Sequence, residues 1–121
     1  MKKILIIEDE RMLGEMYQDK FIREGFKVIW VDSAEEGIKV VPKAKPDLIL
    51  LDILLPKANG LGFMGWLEKE KEFSSIPVIA FSNYDDPQTK KEAVKFGIKE
   101  YLIKTNYTPQ EIVDKIKSYF K

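Results

Sequence analysis

The stretch Leu48–Leu55, LILLDILL, is the most apolar segment of the chain and holds one ionisable residue, Asp52. A short apolar run of this kind is typical of a strand that is buried on both faces of a parallel sheet. An aspartate placed there lowers stability unless its carboxylate is paired or binds a cation. The segment therefore predicts a central strand, Leu48–Leu51, followed by a carboxylate with a chemical role.

Four similar runs, rich in β-branched and aromatic residues, lie elsewhere in the chain. They span Ile4–Ile7, Val28–Val31, Val78–Phe81 and Tyr101–Ile103. Stretches with helical signals follow all five runs, so a strand and a helix alternate five times with no long linker. This order predicts an α/β fold, in which helices cover both faces of a parallel sheet through right-handed crossovers. Residues 1–121 are expected to form one domain, with no effector domain in this chain.

Capping residues mark the ends of the predicted helices. Candidate N-caps are Ser33, Asn59, Asp86 and Thr108. Ser33 and Thr108 each precede a glutamate at capping-box spacing, and proline follows Asp86 and Thr108 at the first helical position. Gly25 and Gly97 are candidate stops, because glycine readily takes the left-handed conformation that ends many helices.

Composition excludes several classes of function. Lys+Arg and Asp+Glu each number 20, so the zero net charge gives no reason to expect nucleic acid or an anionic membrane as partner. The absence of cysteine and histidine excludes disulfides, thiolate chemistry and histidine catalysis within the chain. The apolar run near the N-terminus is too short for a signal peptide or a membrane span, and a cytoplasmic location is expected.

Candidate site residues follow four of the five predicted strands. Glu8 and Asp9 follow the first strand, Asp52 the third, Ser82 the fourth and Lys104 the fifth. Taken singly, these are an N-cap, a turn residue or a solvated lysine more often than a site. The carboxyl ends of parallel strands share one edge of the sheet, however, so these side chains are expected to converge where ligands bind in such folds.

The combination of these groups indicates a particular chemistry. Clustered carboxylates repel one another, and Mg²⁺, which prefers oxygen ligands, relieves that repulsion. A carboxylate beside magnesium can act as a nucleophile toward phosphorus and form an aspartyl phosphate. Lys104 and Ser82 would then contact the phosphoryl oxygens through a charge and a hydrogen bond. The residues therefore predict a magnesium-dependent phosphoacceptor site on Asp52.

The chain resembles the receiver domain of two-component response regulators, in its stand-alone form similar to the chemotaxis regulator. The matching features are Glu8-Asp9, Asp52 with Pro56 and Gly60 after it, Ser82 after Ile79–Phe81, and Tyr101-Leu-Ile-Lys104. The resemblance covers essentially the whole chain. It implies a doubly wound, flavodoxin-like (βα)5 sandwich with strand order 2-1-3-4-5.

The resemblance also implies a role for each site residue. The implied phosphoacceptor is Asp52, and the implied Mg²⁺ ligands are Asp9, Asp52, the backbone carbonyl of Leu54 and, through water, Glu8. Lys104 is implied to pair with the phosphoryl group and Ser82 to hydrogen-bond it. Tyr101 would be a rotamer switch that alters the surface of the fourth helix, fifth strand and fifth helix. Thr105 departs from the proline usual in the family, and we predict a trans Lys104–Thr105 peptide, because only proline makes cis inexpensive.

The implied partners are a sensor histidine kinase or phosphotransfer protein and a downstream protein target that the sequence does not identify. The domain is expected to be a monomer or weak dimer. It is also expected to be a signalling switch and not an enzyme, although it would promote its own phosphorylation and dephosphorylation.

The alternative is a pseudo-receiver that binds partners without phosphorylation. Three further classes are disfavoured by the residues. A flavin carrier needs a phosphate-binding loop where this chain has Glu8-Asp9-Glu10, an aspartyl-nucleophile phosphatase needs an acid where it has Leu54, and a P-loop switch needs Gly-x-x-x-x-Gly-Lys.

Overall fold

The structure, a computed structural model, describes residues 1–53, 60–83 and 85–120, without the side chain of Leu61. Strands and helices alternate along this part of the chain as predicted. The strands are β1 (Lys3–Ile7), β2 (Lys27–Val31), β3 (Leu48–Asp52), β4 (Val78–Ser82) and β5 (Glu100–Ile103). The helices are α1 (Arg11–Arg23), α2 (Ala34–Ala44), α3 (Gly60–Lys69), α4 (Pro87–Lys95) and α5 (Pro109–Ser118).

The strands form one parallel sheet in the order β2-β1-β3-β4-β5, which confirms the fold and strand order expected from the resemblance. Strand β1 pairs with both β2 and β3, so the winding direction reverses between β1 and β3. Ile7 is in register with Leu51, so the residues that follow β1 lie beside Asp52. This is the place where ligands bind in open α/β sheets.

Apolar side chains pack on both faces of the sheet. On one face, Phe21 of α1 and Ile116 of α5 are buried against the strands, and the other face is covered by residues of α2, α3 and α4 such as Phe63. Every position of β3 and β4 is buried. The expectation of burial on both faces is wrong for β2, where Lys27 is exposed and the other residues are only half-buried, because an edge strand has a neighbour on one side only.

The predicted caps determine where several helices begin and end. The side chain of Thr108 accepts from the backbone N–H of Glu111, and the glutamate carboxylate accepts from the N–H of Thr108, which completes the predicted capping box. Ser33 and Asp86 also cap their helices. The positive φ angles of Gly25 (93°) and Gly97 (86°) confirm the predicted stops.

Two further predictions concern a helix cap at Asn59 and the absence of a membrane span. The proposed cap Asn59 lies outside the described residues. Among the described residues, no helix combines the length and the apolar character that crossing a membrane requires.

Candidate functional site at the carboxyl ends of the strands

The three carboxylates predicted from the strand ends meet in one pocket. Glu8, Asp9 and Asp52 each offer an oxygen, and these oxygens all lie within 4.8 Å of one another. Glu8 is fully buried and Asp52 is 6% exposed, whereas Asp9 is exposed. The pocket therefore contains two buried carboxylates, with the third at its solvent side.

Lys104 extends from the end of β5 into this pocket. Its Nζ lies 2.6 Å from Glu8 Oε1 and 3.2 Å from Asp52 Oδ2. The same ammonium lies 4.5 Å from the centroid of the Phe81 ring, in a cation–π contact. The lysine side chain is 8% exposed. A single buried cation thus bridges the carboxylates that follow β1 and β3.

The environment of Glu8 favours its protonated form. Burial, together with a hydrogen bond to Asp52, raises the pKa of Glu8 to about 8, although the Lys104 ammonium acts in the opposite direction. The second carboxylate oxygen of Glu8 accepts a long hydrogen bond of 3.4 Å from the backbone N–H of Glu10. Glu8 is therefore engaged by the protein through both of its oxygens.

Ser82 ends β4, and Tyr101 lies on the neighbouring strand β5, in register with Ala80. Ser82 is fully buried, and Tyr101 is 9% exposed. Burial raises the pKa of the Tyr101 phenol, whereas its hydrogen bond with Ser82 acts to lower it. The ring packs within the core on the side of α2, α3 and α4. Tyr101 is thus in an inward position, in contact with the serine expected to face a phosphoryl group.

The segment after Lys104 takes a conformation that threonine tolerates. No cis peptide bond occurs within the described ranges, so the Lys104–Thr105 peptide is trans, as predicted. A 3-10 turn, Lys104–Asn106, connects β5 to α5. The expected backbone ligand at Leu54 lies outside the described residues.

Sequence reasoning missed three residues that support the site. Phe81 faces the lysine ammonium, and Trp30 donates a hydrogen bond of 2.9 Å from its indole Nε1 to the backbone carbonyl of Glu8. Gly14 of α1 lies against that indole. The only signals in the sequence are the partial polarity of the indole in an apolar strand and a glycine inside a predicted helix, and neither identifies its partner.

Comparison with known proteins connects this geometry to a family. The model of the response regulator receiver domain matches residues 4–117. An uncharacterized transcriptional regulatory protein of Bacillus subtilis, YcbL, is 32% identical over 114 residues, which are 94% of this chain. The chain spans about half, 49%, of that relative's length.

Two further comparisons cover nearly the whole of both chains. The polar-differentiation response regulator DivK of Brucella ovis is 30% identical over 118 residues, 98% of this chain and 95% of DivK. The crystallised chemotaxis protein CheY4 of Vibrio cholerae superposes with a TM-score of 0.90 at 20% identity, covering 98% of each chain, and this likeness concerns the fold. With the family model matched over residues 4–117, the chain belongs to the response regulator receiver domains.

Proposed function

We propose that this receiver domain accepts a phosphoryl group on Asp52 in a magnesium-dependent reaction and transmits the event through α4, β5 and α5. The donor would be a histidine kinase or phosphotransfer protein, and the recipient of the signal another protein. The observation that supports this most directly is the pocket itself. Three carboxylates offer oxygens within 4.8 Å of one another, and Lys104 approaches two of them at 2.6 and 3.2 Å.

The donor set suits a hard divalent cation. It consists of carboxylate oxygens, which Mg²⁺ prefers, and the exposure of Asp9 gives an ion a route from solvent. Asp9 and Asp52 would hold the ion together with the backbone carbonyl of Leu54, and Glu8 would contribute through water. Bound Mg²⁺ would offset the negative charge that accumulates where a carboxylate and a phosphoryl group approach each other.

The protein's own groups account for the transfer step. A carboxylate oxygen of Asp52 attacks phosphorus, the bond from phosphorus to the donor nitrogen breaks, and that nitrogen keeps the bonding electron pair. The ammonium of Lys104, already 3.2 Å from Asp52 Oδ2, is placed to neutralise charge on the phosphoryl oxygens. Burial of Asp52 limits competing contact with water.

The hydrogen bond between Ser82 and Tyr101 supports a route for the signal. A phosphoryl group at Asp52 adds negative charge and three acceptor oxygens near the end of β4. The Ser82 hydroxyl would turn toward those oxygens, and Tyr101 would occupy its inward position in the phosphorylated form. The inward state exists in this structure, so the phosphoryl group would stabilise an arrangement that is already accessible.

Intact-mass measurement after incubation with acetyl phosphate and Mg²⁺ tests the phosphoacceptor. The wild type should gain about 80 Da, one phosphoryl group. Asp52→Asn should gain nothing, and Glu24→Gln, a carboxylate removed far from the pocket, should behave as the wild type. An adduct of equal yield on Asp52→Asn would contradict the assignment.

Labelled-tyrosine NMR with beryllofluoride, a phosphoryl mimic, tests the route of the signal. In the wild type, the resonances of Tyr101 should shift. In Ser82→Ala they should shift less, although Asp52 remains phosphorylatable. An equal shift in both proteins would mean that the signal passes through Lys104 or the backbone and not through the serine.

A further inference from the structure

Strand β2 holds the backbone of Glu8 by two hydrogen bonds. The backbone N–H of Glu8 donates to the carbonyl of Val31 at 3.0 Å. The carbonyl of Glu8 accepts from the indole Nε1–H of Trp30 at 2.9 Å. The first bond continues the parallel ladder between β1 and β2, whereas the second depends on one side chain. Glu8, the first residue of the acidic turn Glu8-Asp9-Glu10, is therefore tied to β2 at both of its backbone polar groups.

The indole can reach this carbonyl because α1 has a glycine opposite it. A Cβ at Gly14 would lie 2.2 Å from Trp30 Nε1 and 2.3 Å from Cε2, distances that no real structure accommodates without movement. Glycine is a weak helix former, so local helix preference does not explain its place inside α1. Gly14 and Trp30 form a matched pair in which the missing side chain of one makes room for the ring of the other.

We propose that Trp30 is a positioning residue for the acidic pocket, and that Gly14 provides the space it needs. By holding the Glu8 carbonyl, the indole N–H fixes the turn that carries the Glu8 and Asp9 side chains. Glu8 in turn holds Lys104 at 2.6 Å, and Asp9 belongs to the group of oxygens gathered around Asp52. The inference rests on the proposed function, because the geometry it preserves is that of the metal and phosphoryl site.

A Trp30 that only fills space can be distinguished from a Trp30 that positions the turn through its N–H. If Trp30 only filled space between β2 and α1, a ring of similar shape would leave the pocket intact. If the N–H positions the turn, loss of the donor should alter the pocket even when packing is kept. Replacing Trp30 with 3-benzothienylalanine separates the two, because sulfur takes the place of the N–H in a ring of nearly the same shape. Trp30→Phe is the genetically encoded counterpart.

Titration calorimetry with Mg²⁺ alone is the first measurement. Groups that do not touch the metal but orient its ligands commonly contribute about tenfold or more to metal affinity. Both Trp30 replacements should therefore weaken Mg²⁺ binding by about tenfold. Gly14→Ala should weaken it in the same direction, since the new methyl group displaces the indole. Trp66→Phe is the matched control, because Trp66 of α3 packs against Phe63 on the other side of the sheet, and its affinity should equal that of the wild type.

Amide hydrogen exchange without Mg²⁺ is the second measurement. The amides of Glu8, Asp9 and Glu10 should exchange faster in the benzothienyl protein, whereas those of β3 and β4 should keep their wild-type rates. A general loss of stability would accelerate exchange throughout the sheet. Mg²⁺ affinity within about twofold of the wild type, with unchanged exchange at these three amides, would overturn the inference.

The two proposals fail in different ways. If the wild type gains no phosphoryl group, the proposed function fails, and the role of Trp30 is still decided by Mg²⁺ affinity and amide exchange. If the wild type is phosphorylated and the Trp30 proteins match it in affinity and exchange, only the positioning role fails. If Trp30→Phe does not fold, the benzothienyl protein and Gly14→Ala decide the question.

Discussion

Lysine–carboxylate contacts of similar length occur in two regions of the protein: the acidic pocket and the surface where α5 meets the end of α1. In the pocket, Lys104 Nζ lies 2.6 Å from Glu8 Oε1, and their side chains are 8% and 0% exposed. On α5, Lys117 Nζ lies 2.9 Å from Glu24 Oε2, and their side chains are 39% and 30% exposed. The distances are nearly the same, so the two contacts differ chiefly in their access to water.

The pKa values of the two glutamates are shifted in opposite directions. The pKa of Glu24 is lowered, first by its hydrogen bond from Lys117 and then by that from Gln110. The pKa of Glu8 is raised to about 8, because burial outweighs its lysine. A short contact with lysine therefore favours the ionised carboxylate at the surface but not in the pocket. The surface pair is an ordinary ion pair, whereas the burial of charged groups in the pocket lowers stability, and such an arrangement favours a chemical role.

Of the changes that test this difference between pocket and surface, removing Lys104 should lower the free energy of unfolding the most. Lys104→Met leaves Glu8 and Asp52 buried without their shared cation, and breaking a buried pair in this way costs about 3 kcal/mol or more. We expect the free energy of unfolding, measured with urea in the absence of Mg²⁺, to fall by that amount. The double variant Lys104→Met/Glu8→Gln should recover little of the loss at neutral pH, because Glu8, with a pKa of about 8, is already mostly protonated and Asp52 is the carboxylate left without its cation.

Lys115→Met is the matched control for that variant. Lys115 Nζ lies 2.8 Å from Glu100 Oε1, but their side chains are 37% and 31% exposed. The control should lose far less stability than Lys104→Met. An equal loss of unfolding free energy in the two variants would mean that burial does not strengthen the contribution of Lys104.

The second effect is on the pH dependence of stability. The pKa of Glu8 is about 8 in the folded protein and near its ordinary value of 4.5 when unfolded. The folded state thus holds a proton that the unfolded state has released, so this group's stabilising effect is complete below pH 4.5 and is lost as the pH rises through 8. One such proton gives a slope of about 1.4 kcal/mol per pH unit at most.

Urea unfolding across this range, at constant ionic strength and without Mg²⁺, measures the slope. Glu8→Gln should reduce the decline, since glutamine does not titrate. Glu24→Gln should not reduce it, because the pKa of Glu24 is lowered and its stabilising effect is lost on acidification. If Glu8→Gln keeps the wild-type profile, Glu8 is not the source of the decline.

The smallest effect should come from the surface pair. Lys117→Met removes the partner of Glu24 where water solvates both charges, and such exposed pairs contribute little to stability. The change in the free energy of unfolding should be the smallest of those compared and should shrink further in high salt. A loss comparable to that of Lys104→Met would show that exposure does not separate the two regions.

Much of the fold follows from local signals. The apolar run that ends at Asp52 became the buried central strand β3, and the Thr108–Glu111 capping box begins α5 as predicted. Gly25 and Gly97 end their helices because a left-handed residue interrupts the helical backbone. Strand order was expected from the family resemblance and not from spacing, because periodicity does not reveal which strands are neighbours.

The membership of the site was also predictable, but its internal contacts were not. Glu8, Asp9 and Asp52 were expected to meet, because the carboxyl ends of parallel strands lie at one edge of the sheet. That Lys104 approaches Glu8 more closely than Asp52 depends on side-chain positions across 96 residues of sequence. Strand ends identify which groups converge, and packing decides which of them touch.

By itself, the sequence determined the alternation of strands and helices, the helix ends and the chemical groups at the sheet edge, because these depend on residues near one another in the chain. Only the tertiary structure decided that Trp30 reaches the Glu8 carbonyl across the space left by Gly14. It also decided that burial overcomes Lys104 in setting the pKa of Glu8. Both depend on distances and solvent exclusion that exist only when separate elements pack together.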